Sequence, residues 1–206
     1  MPRNLQAQTK LLDAALSLIR AKGYSATTVD ELCLVAGVTK GAFFHHFQNK
    51  EALGVAAAHY WSEQTGRMFA AKAYHEHVDP LQRVLGYLDS RRSMLTGEVR
   101  DFTCLAGTMV QEQFDASPVI REACLESIAG HAANVEKDIA DAIEAYGITA
   151  EWTAMGLALH IQAVLQGGFI LAKAHGRGDV AMTCIDHLRR YVELLFQPMP
   201  AESEKT

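Results

Sequence analysis

Apolar positions recur at helical spacing along almost the whole chain. Over residues 4–22, Leu11, Ala15, Leu18 and Ile19 stand at i, i+4, i+7 and i+8, one face of an α-helix. Gly23 stands where such a helix is expected to stop. Thr28 followed three residues later by Glu31 is a capping box, and it predicts a short helix over 29–36 that Gly37 ends. Thr39 is the predicted cap of a second short helix through Phe47. Asn49 is the predicted cap of a longer one over 50–74, whose opening Ala52, Ala56, Ala57 and Ala58 favour helix. Leu32, Val35, Val38, Phe43 and Phe47 are expected to hold the two short helices together.

Further helices are predicted over 81–95 behind Asp79-Pro80, over 103–114 after a break at Gly97, and over 118–146 behind Ser117-Pro118. Two more are predicted over 150–174 and 179–196, the last capped by Asp179 and stopped by Pro198 and Pro200. The tail 201–206 is expected to be disordered. No stretch alternates apolar with polar residues, and no Asn-Gly or Asp-Gly hairpin signal occurs. The pattern predicts an all-α protein of about nine helices.

Composition narrows the class. Apolar residues make up 49% of the 206 and charged residues 21%, which argues for a packed core and against disorder. Cys33, Cys104, Cys124 and Cys184 are scattered without a CxxC pair, excluding a zinc finger and arguing against a disulfide scaffold. The N-terminal residues contain no apolar run like a signal peptide, so a reducing, cytoplasmic location is expected. Residues 152–172 are free of Asp, Glu, Lys and Arg and are long enough to cross a bilayer. Thr153, His160, Gln162 and Gln166 interrupt them, and an interior or subunit-interface helix is the expectation, with no membrane partner. Charge is divided along the chain: residues 1–54 carry six basic against four acidic side chains, whereas the remainder carries thirteen against twenty. A basic head on an acidic body suits an anionic partner at the N-terminal end.

Two short helices joined by a glycine-containing turn form a helix-turn-helix unit. The second helix must be slim at its start to enter a major groove. Thr39, Lys40, Gly41 and Ala42 supply a hydroxyl, a cation, no side chain and a methyl there. The run from Thr28 to Leu53 closely resembles the DNA-binding signature of TetR/AcrR-type transcriptional regulators. It joins the capped helix, the Ala36-Gly37-Val38 turn, the segment Thr39-Lys40-Gly41-Ala42-Phe43-Phe44-His45-His46-Phe47 and the Asn49-Lys50-Glu51 start.

The resemblance covers about the first quarter of the chain. It implies a homodimer with a three-helix DNA-binding head (1–53) and a larger helical domain for ligand binding and dimerisation (54–200). Its implied partners are double-stranded operator DNA and a small-molecule inducer, and it implies no cofactor. Carried over, Thr39, Lys40, Gly41, His45 and His46 lie on the recognition helix, and Thr28 and Lys50 lie at helix starts near phosphates. Phe44 departs from the family's usual tyrosine, removing one hydroxyl contact while leaving a ring to pack on sugar or a thymine methyl.

The larger part is rich in aromatic and sulfur side chains, most of them expected in the core. Trp61, Tyr87, Phe102, Cys104, Met109 and Phe114 are the candidates for a ligand cavity. Cys104, in the first turn of a helix capped by Asp101 or Thr103, is the candidate for a thiol-reactive sensor. His75 and His77, with His59, have no convincing metal-ligand pattern, and neither a nucleophile elbow, a P-loop nor HExxH occurs, so catalysis is not expected. Leu159, Ala163, Ile170, Ile185, Leu188, Val192 and Leu195 are expected to pair the last two helices with a second copy, Gly167 and Gly168 allowing close approach. The expected function is a ligand-released dimeric repressor; an activator of the same fold and a helical interaction protein without DNA binding are the alternatives.

Overall fold

The computed structural model describes residues 3–149 and 151–197. Among them the chain forms ten α-helices and one 3-10 turn: α1 (Arg3–Lys22), α2 (Val29–Ala36), α3 (Lys40–His46), α4 (Lys50–Ala70), the turn Ala73–Glu76, α5 (Pro80–Ser93), α6 (Val99–Phe102), α7 (Leu105–Gln113), α8 (Pro118–Ala145), α9 (Ala154–His175) and α10 (Asp179–Leu195). The all-α expectation holds, and the described residues contain no strand. Residues 150 and 198–206, where the sequence suggests a helix start, a proline stop and a disordered tail, lie outside the described residues.

The caps expected at Thr28, Thr39, Asn49 and Asp79 are present. Thr28, Thr39, Asn49 and Ser117 each accept a backbone N–H from the residue three ahead, and Asp79 accepts one from Leu81. Gly37 closes α2 at φ +63°, a left-handed conformation in which a side chain is strained.

Two departures bear on the larger domain. The segment after Gly97 holds an extra one-turn helix, α6, because the Asp101 carboxylate turns back to the Glu98 N–H at 2.9 Å instead of capping α7. Thr103 and Cys104 are extended, and the Cys104 Sγ itself caps α7, accepting the Gly107 N–H at 3.3 Å. At the last helix Gly178 occupies the cap position, while Asp179 enters the first turn and pairs with Arg177.

Apolar side chains pack into two clusters. One joins α4, α5, α8, α9 and α10 around Val84, Leu88, Ile139, Ile161 and Val192. The other seals the N-terminal helices around Leu11, Leu32, Phe43 and Leu53, and it takes in Leu105, Met109 and Ile120 from α7 and α8. The head therefore shares its core with the larger domain. Polar clamps reinforce that junction. Both Glu112 carboxylate oxygens accept backbone N–H groups, from Tyr24 at 3.1 Å and Ser25 at 2.7 Å, and the Ser117 hydroxyl donates to Glu51 at 2.6 Å.

Candidate functional site

The turn and the two short helices present one continuous outer face. Phe43 is wholly buried and Phe47 nearly so, and together with Leu32 they fix α3 against α1 and α2. Val35 does not join them. It is 55% exposed, because an eight-residue helix buries one face only and Leu32, Cys33 and Ala36 occupy it. Thr39, Lys40, Gly41, Phe44 and His45 are exposed along α3, and His46 is half-buried beside Phe47. Phe44 stands edge-on to Phe43 at 5.2 Å with its other face open. The His45 and His46 rings meet edge-on at 5.0 Å. A side chain at Gly41 would have only the Thr39 hydroxyl for company, at 3.7 Å, so the glycine keeps the helix slim and is not demanded by packing.

Charges on this face are held by neighbours. Lys40 Nζ lies 2.6 Å from Asp30 on α2, and that carboxylate raises the lysine's pKa. Thr28 is engaged by its capping box: its hydroxyl donates to Glu31, and Glu31 returns to the Thr28 N–H at 3.0 Å. Lys22 also binds Glu31, and these bonds, the Lys22 one foremost, hold the Glu31 carboxyl down at about 2. Lys50 is turned inward. Its ammonium sits 4.3 Å above the Tyr24 ring and 3.3 Å from the Ser25 carbonyl, and burial lowers its pKa.

A cavity of about 350 Å³ lies between the two clusters, walled by α1, α4, α5, α6, α8 and α9. Trp61, Phe102 and Cys104 lie on its wall. Tyr87 is buried behind it, lining a neighbouring space of about 310 Å³ that Phe69 and His131 share with the first. Two residues named from sequence are elsewhere. Met109 is fully buried in the cluster that seals the head, and Phe114, just past the end of α7, is 62% exposed.

Sequence reading missed the polar part of this wall. Arg20 of α1 covers Trp61 at 5.2 Å and donates to the Asp101 carbonyl at 3.0 Å, so a helix of the head forms part of the cavity. Arg91 donates to the Tyr87 hydroxyl at 2.9 Å and reaches His131 Nε2 at 3.3 Å. Burial first and Arg91 second push the His131 pKa down to about 3, so its imidazole is neutral. With Arg91 and the Tyr87 hydroxyl at 2.8 Å both donating, Nε2 is the acceptor and the proton belongs on Nδ1. Arg91 falls four residues after Tyr87, on the apolar face of α5 with Val84 and Leu88; a cation at such a position is the available signal. Cys104 separates this cavity from a smaller one of about 240 Å³, where Lys173 donates to the Thr108 hydroxyl at 2.8 Å. Cys124 is buried, which pushes its thiol up to about 12. Among the described residues no group of three His, Cys, Asp or Glu side chains is placed to hold a metal. His75 rests on Tyr74, and His59 faces Glu126.

The outer sides of α9 and α10 carry an apolar stripe of Leu159, Ala163, Ile170, Tyr191 and Leu194. Ile185, Leu188 and Val192, expected on that stripe, are instead buried within the subunit, and Gly168 faces Ala181 and Cys184 of α10. Leu195 is half-buried against the same core. α9 is long and apolar enough to cross a membrane, but its apolar residues divide between this core and the outer stripe.

Known proteins share both parts of the chain. Residues 11–57 match the family of bacterial regulatory proteins, tetR family, and residues 80–188 match the tetracyclin repressor-like C-terminal domain. The transcriptional repressor DhaR of Mycobacterium sp. is 27% identical over 111 residues, 54% of either chain. The transcriptional regulator AcuR of Cereibacter sphaeroides is 29% identical over 106 residues, 52% of this chain and 48% of that one. The match thus spans about half the length of these curated relatives. A TetR-family regulator from Agrobacterium tumefaciens superposes with a TM-score of 0.81 at 17% identity, over 92% of this chain and 98% of the other, which fixes the fold. With a helix-turn-helix head and a C-terminal domain that both match, this chain belongs to the TetR family of bacterial regulatory proteins.

Proposed function

We propose that the protein is a dimeric transcriptional repressor that leaves its operator when a small molecule enters the α1–α9 cavity. The supporting observation is that α3 stands outward while Arg20, on a helix of the same head, lines the cavity. A ligand that displaces Arg20 changes the seat of the head, and its effect on DNA affinity equals its preference between the two arrangements. The apolar stripe of α9 and α10 is the proposed subunit interface. Pairing it with its symmetry mate would present two α3 helices to successive major grooves about 34–36 Å apart. Such a protein works in the compartment that holds the chromosome, the cytoplasm of a bacterium.

In this reading Thr39, Lys40, Gly41, Phe44 and His45 face the groove, and His46 and Thr28 flank it. Lys40 exchanges Asp30 for a phosphate on binding. Lys50 acts mainly by holding the start of α4 to Tyr24. Mobility-shift titrations with DNA flanking the gene, run across salt concentrations, test the head: Lys40→Ala should lower the salt slope by about one, and Lys50→Ala by less. An unaltered slope for Lys40→Ala, or no shift with wild-type protein, refutes it. Sedimentation tests the stripe. Leu159→Glu should convert a dimer to a monomer, and a monomeric wild type refutes the arrangement.

The place of Cys104 on the wall favours a second kind of inducer, an electrophilic alkene. The thiolate sulfur would bond the β-carbon, the π bond would open, and the α-carbon would take a proton from water. Mass spectrometry of treated protein should find the adduct on Cys104, and Cys104→Ser should remain on DNA. Release of that variant by the same compound rules this route out.

A further inference from the structure

Arg91 brings a positive charge to the cavity wall, with no acidic partner among the described residues. Arg67, Arg83, Arg92, Arg100, Arg177 and Arg189 each reach a carboxylate. Among the described residues no carboxylate lies within ion-pair distance of Arg91. Its guanidinium instead meets the Tyr87 hydroxyl at 2.9 Å and His131 at 3.3 Å, and lies 4.6 Å above the Phe69 ring. The Tyr87 hydroxyl and the neutral His131 imidazole orient the cation and do not neutralise it. The other cation on the wall, Arg20, has its pKa lowered by burial, and the nearby Asp101 charge opposes that shift. Arg20, Asp101 and Arg91 leave the wall with one uncompensated positive charge. A cation withdrawn from water is costly unless something pairs with it.

Much of the remaining wall is aromatic or sulfur-bearing, with Trp61, Phe69, Phe102, Phe169, Met68 and Met94, beside the uncharged polar side chains of Gln64, Thr65, Ser127, Gln162 and Gln166. Phe102 is backed by Gly178, where even a methyl group would come within 3.1 Å of the ring. A volume of about 350 Å³ suits a small molecule. A planar guanidinium matches a carboxylate by two parallel hydrogen bonds, and a single excess charge calls for a monoanion over a phosphate monoester.

We propose that the cavity binds a small organic monocarboxylate with a flat, apolar body, its carboxylate on Arg91 and its body among Trp61, Phe69, Phe102 and Phe169. This rests on the cavity being the effector site. It adds the chemical class of the effector.

The full-length protein carrying Trp152→Phe reports occupancy through Trp61 fluorescence. Matched pairs of acid and neutral amide serve as probes: benzoate and benzamide, 3-phenylpropanoate and 3-phenylpropanamide, hexanoate and hexanamide. At least one acid should bind about tenfold or more tightly than its amide, the scale of a charge-assisted hydrogen bond. Arg91→Gln should erase that difference with the amide unchanged, and Arg91→Lys should keep part of it. The wild-type acid-to-amide comparison stands even if a variant folds poorly. Equal or weaker binding of every acid, or no quenching by any of them, overturns the proposal. An acid that binds through Arg91 but leaves the DNA complex intact upholds the anion site and refutes the effector reading. An amide that binds as well as its acid and releases DNA does the reverse.

Discussion

Around α3 most of the polar contacts join residues near one another in the chain. Thr28 meets Glu31, Thr39 meets Ala42, and Lys40 meets Asp30. Around the cavity the partners lie far apart: Tyr87 with His131, Arg91 with His131, Arg20 with Asp101. The head's surface is set by short-range rules and its position by a shared core. The cavity exists only where several helices meet, and it feels a shift in any of them. Recognition chemistry can therefore be altered by single exposed substitutions, whereas cavity chemistry is tied to the fold.

The largest test of that contrast is Phe43→Ala. Removing a fully buried ring should cost about 3–5 kcal/mol in urea unfolding. Because its cluster includes Leu105, Met109 and Ile120, tryptophan fluorescence and helical circular dichroism should still lose structure in one transition. Two separate transitions would make the head an independent unit. Gly37→Ala comes next, at about 1–2 kcal/mol, since the cost is backbone strain at positive φ and the space beside it is open. A loss close to zero there would mean that the turn relaxes without harm.

Acid titration separates the two regions by window. His131 is held neutral in the fold, from an ordinary value of 6.5 down to about 3. Below 6.5 the unfolded chain takes a proton that the folded one refuses, so stability falls as pH drops from there toward 3. His131→Asn should flatten this part of the melting profile. Glu31 provides the smallest effect, since it is exposed. Its capping bonds contribute above its ordinary value of 4.5 and are lost as pH falls toward about 2. A Glu31→Ala melting curve that matches wild type at pH 7 would show those bonds to be without weight.

The head was legible in the sequence because its signals are local. Thr28 with Glu31, the left-handed Gly37, Thr39 and Asn49 each act within a few residues of their own positions. Val35 misleads because a short helix has too few residues to reveal which face is buried. Ile185, Leu188 and Val192 mislead because an apolar face covered by α5 and α9 reads the same as one covered by a second subunit. Met109 and Phe114 share the apolar character of Phe102, yet only the fold separates core, surface and cavity. Cys104 as a cap was hidden because sulfur is a weak acceptor, seldom used at that position. Arg91 and Arg92 are adjacent in sequence, but a helix turns them apart, one toward His131 and the other out to Asp186.

Glu112 gives α7 a lever's geometry. Nine residues of helix span about 13 Å, with the Cys104 sulfur at one end and the Glu112 side chain near the other. Both oxygens of that side chain grip consecutive amides at the corner from which α2 and α3 hang. The two bonds tie the end of α7 directly to that corner. In the proposed repressor, a ligand that shifted α7 beside the sulfur would bear on that corner as well.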